Sequence, residues 1–445
     1  MPLPPQPGFC PLSGPFSSLI TGVSSMSEHS VDRRDFLTVG AGTVTAATLL
    51  PTAVHAAGNG KIKVGLIGCG GRGSGAIGDC LKADDAVELY AIGDVFADVA
   101  ATKSKQYSER FGARANLGDR VFSGLDAYKQ VIDSGVDLVI LATPPGFRPD
   151  HLEYAIKARK HVFTEKPVAV DGPGIRKCLA LVEEAKKNGT AVVAGTQRRH
   201  QQGYIETIDK IRAGAIGEIV SARCSWNGTG IWFKQRMPGE ADAHYQIRNW
   251  YHFIWLCGDH IVEQHVHNID VINWVMGAHP VKASGIGARA YRPEGPPEQA
   301  GQIWDHFAVE FEYPNGVPLY SYCAHIPGIR NDVSETVYGT RGVAYINRYL
   351  INKEKAGNDS NISPYVQEHI DLIQSIRASK PLNELENVTN STMTAILGRE
   401  AAYTGKTLTW DQVLNAKTSL VPQGIQLDSQ LVTAPAPRPD KYKLV

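Results

Sequence analysis

In the stretch KIKVGLIGCGGRGSGAIGDCLKADD, residues 61–85, a short apolar strand runs into a glycine-rich turn and then into a helix. Gly68, Gly70 and Gly73 hold the G-x-G-x-x-G spacing there. The first allows a tight turn, the second lets the backbone approach a pyrophosphate, and the third lets helix and strand pack closely. Free N–H groups at the helix start then face the phosphates. The spacing alone is a weak signal, and its context strengthens it. A second strand follows, VELYAIGD, ending at Asp94, twenty-one residues after Gly73. A carboxylate at that place accepts from an adenosine ribose hydroxyl and repels a 2′-phosphate, which favours NAD over NADP.

The alternation continues. VDLVILATPP (136–145) reads as a buried strand, DHLEYAIKARK (150–160) as a helix and HVFTEKP (161–167) as a strand. GIRKCLALVEEAKKNG (174–189) reads as an amphipathic helix closed by Gly189, and TAVVAGT (190–196) as another strand. Strand–helix alternation of this kind predicts an α/β, doubly wound parallel sheet over 60–196. From about residue 218 the period changes to two, and Asn315-Gly316 between two such runs signals a hairpin. Residues 197–360 are therefore expected to form an α+β domain with a largely antiparallel open sheet, backed by a helix over 260–276. Two helices are expected within 361–405, and a surface-wrapping tail over 406–445.

Ahead of this, DRRDFL (32–37) places Arg33 and Arg34 before a mild apolar run, and AVHAA (53–57) supplies small residues. That order predicts a twin-arginine export signal and leader over 1–56, hence a periplasmic or otherwise exported protein. The apolar run is shorter than the roughly 20 residues a spanning helix needs. Met26 is a second candidate start. Lys+Arg and Asp+Glu both number 45, which gives no basic excess for nucleic acid and no acidic tail. No C-x-x-C pair occurs among the seven cysteines, so neither a zinc ribbon nor a disulfide framework is suggested.

GDHIVEQHVHNID (258–270) packs His260, His265 and His267 with Asp259, Glu263 and Asp270. On one continuous helix, 263 and 267 lie one turn apart and 270 follows on the same side. A carboxylate beside an imidazole raises its pKa and orients the ring. A shared metal on His260, Glu263 and His267 is the rival reading. The spacing is not H-E-x-x-H and no cysteine lies near, so acid/base chemistry is favoured and no metal is expected. Trp232 in WNGTGIWF and Arg248 in IRNWYHF are weaker substrate candidates, and His325 weaker still.

TPPGFRPDHLEYAIKARKHVFTEKP, EQHVHNIDVINWVMG and GTRGVAYI resemble blocks of the glucose–fructose oxidoreductase/inositol dehydrogenase/MocA (Gfo/Idh/MocA) family, over roughly 60–405. The resemblance implies that Lys166 in Glu165-Lys166-Pro167 contacts the substrate hydroxyl, the nicotinamide ribose, or both. It places the family's acid/base histidine at His267 and its assisting aspartate at Glu263, a longer carboxylate. His265 stands where the family carries a small residue, and Arg148 where it often carries a histidine. The implied NAD contacts are Gly68, Gly70, Gly71, Arg72, Gly73, Asp94, Thr143, Pro144, Glu165 and Lys166. Arg148, Gln197, Arg199, Trp232, Arg248 and His265 are the substrate candidates. The expected activity is hydride transfer between tightly bound NAD and a sugar or polyol carbon. The rival is a redox-neutral glycoside hydrolase using the same hydride chemistry. A non-catalytic sensor of NAD and sugar is a third reading, which Lys166 and His267 argue against. The resemblance also leads us to expect a homodimer or homotetramer formed through the C-terminal sheet.

Overall fold

The structure is a computed structural model and describes residues 60–445. The expected leader, residues 1–56, lies outside the described residues. Six strands form one sheet: β1 (Ile62–Ile67), β2 (Val87–Asp94), β3 (Val121–Ser123), β4 (Leu138–Leu141), β5 (His161–Thr164) and β6 (Val192–Ala194). They run parallel in the order β3-β2-β1-β4-β5-β6. The order reverses between β1 and β4. Ligands of open α/β sheets bind in the crevice beyond the strand ends at such a reversal. Val64 and Leu66 of β1 and Leu138 and Ile140 of β4 are fully buried, as strands covered on both faces require. The helix Gly172–Asn188 starts where the Asp171 carboxylate accepts from the Gly174 N–H at 2.8 Å, and it ends at Gly189 with φ 66°. β4 and β6 are shorter than the runs 136–145 and 190–196 that carry them, and β3, three residues long, has no alternation of its own in the sequence.

The second sheet holds β7 (Ile219–Gly228), β8 (Lys282–Ala288), β9 (His306–Glu312), β10 (Pro318–His325) and β11 (Asp332–Gly339). β12 (Gly342–Tyr345), β13 (Leu350–Ile351), β14 (Glu354–Lys355) and β15 (Leu408–Thr409) extend it. The order is β14-β13-β12-β11-β7-β10-β9-β8-β15, and within it the pair β7–β10 is parallel. The Asn315-Gly316 hairpin joins β9 to β10, with Gly316 at φ 77°. The helices Val266–Met276 and Leu385–Thr404 back one face of this sheet. The other face exposes Tyr320, Tyr322, Tyr338 and Ile286.

Three expectations need correction. The helix over 260–276 is broken into His260–Glu263 and Val266–Met276. Asp259 starts the first piece at φ 74°, with its carboxylate accepting from the N–H groups of His260 and Trp304. At the break the His265 N–H reaches back to the His260 carbonyl at 3.2 Å, a wider loop than an α-turn. The helix Pro364–Arg377 is not part of a separate C-terminal unit. Its Leu372, Ile373 and Ile376 complete the core that holds Ile62 and Leu66, and Arg377 pairs with Asp84 at 2.9 Å. Nor are residues 406–445 only a surface wrap, since they supply β15 and the helix Trp410–Leu414. Farther on, the Pro437 carbonyl accepts from the buried Trp304 indole at 3.0 Å. No helix among the described residues is long and apolar enough to cross a membrane.

Candidate active site

Gly68 sits at φ +93°, and a Cβ there would come within 2.8 Å of the Ala142 backbone. A Cβ on Gly73 would fall 1.9 Å from the Gly68 carbonyl oxygen. Gly70 and Gly71 have nothing within 4 Å of a Cβ, because their backbone faces an open cleft of about 990 Å³. The helix Gly71–Ala83 begins there with no side-chain cap, which leaves its first N–H groups for a ligand. Asp94 lines the same cleft, its two oxygens held by the N–H groups of Cys69 at 2.8 Å and Phe96 at 3.0 Å. Burial pushes its pKa up. Thr143 and Pro144 form the far edge, with Thr143 Oγ1 3.2 Å from His151 Nδ1. An uncapped helix, a glycine cradle that a side chain would fill, and a carboxylate at the end of β2 together fit a dinucleotide.

Arg72 leaves this turn toward Glu165 and the helix Pro364–Arg377. It pairs with Glu165 and lies 3.5 Å from the Glu368 carboxylate, with the Tyr365 ring 5.0 Å from its guanidinium. Glu368 is fully buried; burial and then the charge of Glu165 push its pKa well up. Lys166 follows Glu165 and crosses to Glu263, with its ammonium 3.0 Å from Glu263 Oε1 and also donating to the Glu263 carbonyl. His267 stacks on Trp226 at 5.8 Å. Burial first, and then the charges of Lys166, Arg198 and Arg72, hold its pKa well below the usual histidine value. The imidazole is therefore neutral at physiological pH. Lys166, Glu263 and His267 do not line the open cleft; Glu165 and Arg72 connect them to it.

The other candidates separate. Arg148 is 2% exposed and donates to the carbonyls of Thr143, Glu165 and Pro167, so it braces the two loops. Arg199 makes two 2.8 Å bonds to Asp270, which tie the chain after β6 to the helix Val266–Met276. Gln197 donates to the Tyr365 hydroxyl at 3.2 Å. His265 is fully buried against Ser321 Oγ at 2.7 Å and Cys224, and burial drives its pKa to about 3. Trp232 and Arg248 do line the cleft, as do Phe96, Lys234 and His244. His260 faces Asp259 at 3.2 Å and Arg292 at 3.4 Å. The histidines and carboxylates of 258–270 thus point apart, and no three metal-ligating side chains converge among the described residues.

Sequence reasoning missed Tyr251 and Glu368. Tyr251 is buried, and burial followed by the charge of Glu263 pushes its hydroxyl pKa well up. Glu368 meets Arg72 from nearly three hundred residues away. Neither sits in a pattern of its own; only the fold brings them in.

Residues 62–196 match the family model described as an oxidoreductase family with an NAD-binding Rossmann fold, and residues 204–345 match the GFO/IDH/MocA C-terminal domain. The chain is 27% identical over 260 residues to inositol 2-dehydrogenase 3 of Saccharopolyspora erythraea, covering 58% of this chain and 65% of that one. It is 29% identical over 194 residues to 2,7-anhydro-N-acetylneuraminate hydratase of Escherichia coli, covering 44% of this chain and 46% of that one. In both cases the match spans less than two thirds of the relative. Among solved structures, scyllo-inositol dehydrogenase of Lactobacillus casei with bound NAD(H) and scyllo-inositol superposes with a TM-score of 0.60. Identity there is 18%, over 79% of this chain and 99% of that one, so the likeness is one of fold. Two domain matches in tandem, covering the glycine cleft and the second sheet, place the chain in the Gfo/Idh/MocA family of NAD-binding oxidoreductases.

Proposed function

We propose that the protein oxidises or reduces a hydroxyl-bearing carbon of a sugar or polyol. One observation carries the reading: Lys166 and Glu263, from different domains, meet at 3.0 Å, and the charge of Lys166 adds to burial in holding His267 well below the usual histidine pKa. Bound NAD supplies the hydride acceptor or donor. Lys166 polarises the substrate oxygen, and Glu263 fixes where the ammonium points. His267, being neutral, accepts the hydroxyl proton during oxidation and returns it during reduction. Near-complete burial of these groups excludes bulk water and strengthens each charge interaction. The polyol class draws on the inositol dehydrogenase relatives. To test it, a panel of polyols and free sugars is offered to the protein with NAD while NADH absorbance is followed. Lys166→Met and His267→Ala should each lower kcat/KM by about 10²–10⁴-fold. Unchanged turnover in both variants would remove the assignment.

A second reading is redox-neutral bond cleavage or hydration, in which the same groups oxidise the substrate, remove an acidified C–H proton and later reduce it back. The hydratase relative supports it, as does Tyr251, a third proton-bearing group beside Glu263. Solvent deuterium entering the sugar ring without net NADH would favour it. Export through the twin-arginine route and association through the Tyr320–Tyr322 face are further parts of the proposal. Arg33→Lys with Arg34→Lys should keep the protein in the cytoplasm, and Tyr320→Glu with Tyr322→Glu should lower the sedimentation coefficient. An unchanged result in either experiment refutes that part.

A further inference from the structure

The cofactor cleft has two walls from different domains. One is the glycine turn with Asp94 and Phe96; the other carries Trp232, Lys234, His244 and Arg248. The second wall comes from residues 232–250, which leave the sheet after β7 and reach back over the first domain. Contact is made at Phe96, whose ring lies 4.8 Å from His244 at an interplanar angle of 68°. Phe96 stands two residues beyond Asp94 and its N–H donates to that carboxylate, so the contact is made on the loop that carries the ribose-recognising group.

We infer that residues 232–250 clamp the adenosine half of NAD and slow its release; the inference rests on the NAD reading above. The segment is built to keep its shape. Glu240 accepts from Arg248 at 2.6 and 2.7 Å and from the Met237 N–H at 3.0 Å, and pairs with His244 at 2.7 Å. Arg236 donates to Asp242 and to the Glu240 carbonyl. The C-terminal tail braces it from behind. The Ala243 N–H donates to the Ser429 carbonyl at 3.1 Å, the Leu431 N–H to Asp242 Oδ2 at 3.0 Å, and Gln246 Nε2 to Thr433 Oγ1 at 2.9 Å. Tyr245 and Ile247 pack in one apolar cluster with Val95, Phe96, Leu427 and Leu431, which joins the loop after β2, the segment and the tail.

The chemistry of the wall suits a flat aromatic base. An indole, an imidazole and a planar guanidinium each offer a face or edge to adenine. Asp94 reads the ribose but cannot enclose it. An enclosed ligand leaves only when the walls part, so the clamp acts on the dissociation rate more than on association. The Phe96–His244 contact is the seam that opens.

The test loads the full chain with NAD, removes free nucleotide by gel filtration, and follows loss of bound NAD when excess ADP-ribose is added. His244→Ala opens the seam, and Asp242→Asn weakens the rear brace. Each variant should release NAD about tenfold faster or more, with association altered far less. Release within about twofold of the unmutated rate in both variants overturns the clamp. Hydrogen exchange on the unmutated protein gives a second readout that does not depend on a variant folding. NAD should protect both 68–73 and 232–250. Protection at 68–73 alone refutes the clamp and leaves the NAD reading standing. Protection at neither refutes the NAD reading, and the clamp with it.

Discussion

Replacing Arg148 by alanine strips three carbonyls of their donor: Thr143 before the 148–157 helix, and Glu165 and Pro167 around Lys166. Hydrogen bonds from a charged donor contribute about 1.5–3 kcal/mol each, so three amount to roughly 4.5–9 kcal/mol. Burial opposes this and pulls the guanidinium pKa from 12.5 down to about 10. Holding the charge therefore costs about 3 kcal/mol at 1.36 kcal/mol per pKa unit. The net, roughly 1.5–6 kcal/mol, brackets the usual loss of about 3–5 kcal/mol when one partner of a buried charged arrangement is removed. Urea unfolding followed by tryptophan fluorescence should show that loss. Arg148→Lys should recover little, because one ammonium cannot span carbonyls that a planar fork reaches. In residual folded protein kcat should fall with KM for substrate little changed, since Lys166 is displaced and no substrate contact is removed. An unchanged unfolding midpoint with a raised KM would mean that Arg148 touches substrate, as the family resemblance suggests.

Asp94→Ala should weaken NAD by about 1–3 kcal/mol and narrow the preference over NADP, measured by titration calorimetry; NADP binding tighter than NAD in the unmutated protein would refute the ribose role. Because His267 is held well below its usual pKa, oxidation should show no acid limb near pH 6.5. Lys166→Met removes a neighbouring positive charge and should shift that limb upward in residual activity; a limb near 6.5 in the unmutated enzyme would contradict the assignment. His200 sits between Asp371 at 2.6 Å and Glu384 at 3.2 Å, and despite burial these raise its pKa from 6.5 to about 10. The folded pKa is above the unfolded one, so the stabilisation is complete below about pH 6.5 and is lost as pH rises toward about 10. His200→Gln should flatten that decline in thermal melts, and an unaltered slope would refute it.

The first domain was readable because its constraints are local. Gly68 needs its positive φ and Gly73 its missing side chain for reasons set within a dozen residues. The period-two runs of the second domain were readable too, because one face is buried. The break at 264–265 was not: it depends on Asp259 at positive φ and on His265 finding Ser321, fifty-six residues away. Periodicity drew one helix and therefore one polar face where the chain makes two. Arg148 and Arg199 were expected as substrate contacts from the family resemblance of the stretches that carry them. Their actual partners are backbone carbonyls and Asp270, and side-chain direction is decided by packing. Lys166 and Glu263 were placed by resemblance, and nothing in either local stretch says that they meet.

The return of the helix Pro364–Arg377 to the first domain bears on how such a chain can be cut and recombined. Arg377 reaches Asp84 across 293 positions, and Leu372 shares a core with Leu66. A gene fragment ending near residue 196 would encode every strand of the first sheet and still leave that apolar surface bare. It would also leave Arg72 without Glu368. Such a fragment should self-associate rather than serve as a portable nucleotide-binding cassette. For the same reason the core beneath the nucleotide cleft stays incomplete until the helix Pro364–Arg377 has emerged. Its closure waits on contacts of very long sequence separation, which form slowly and leave the early half open to chaperones meanwhile.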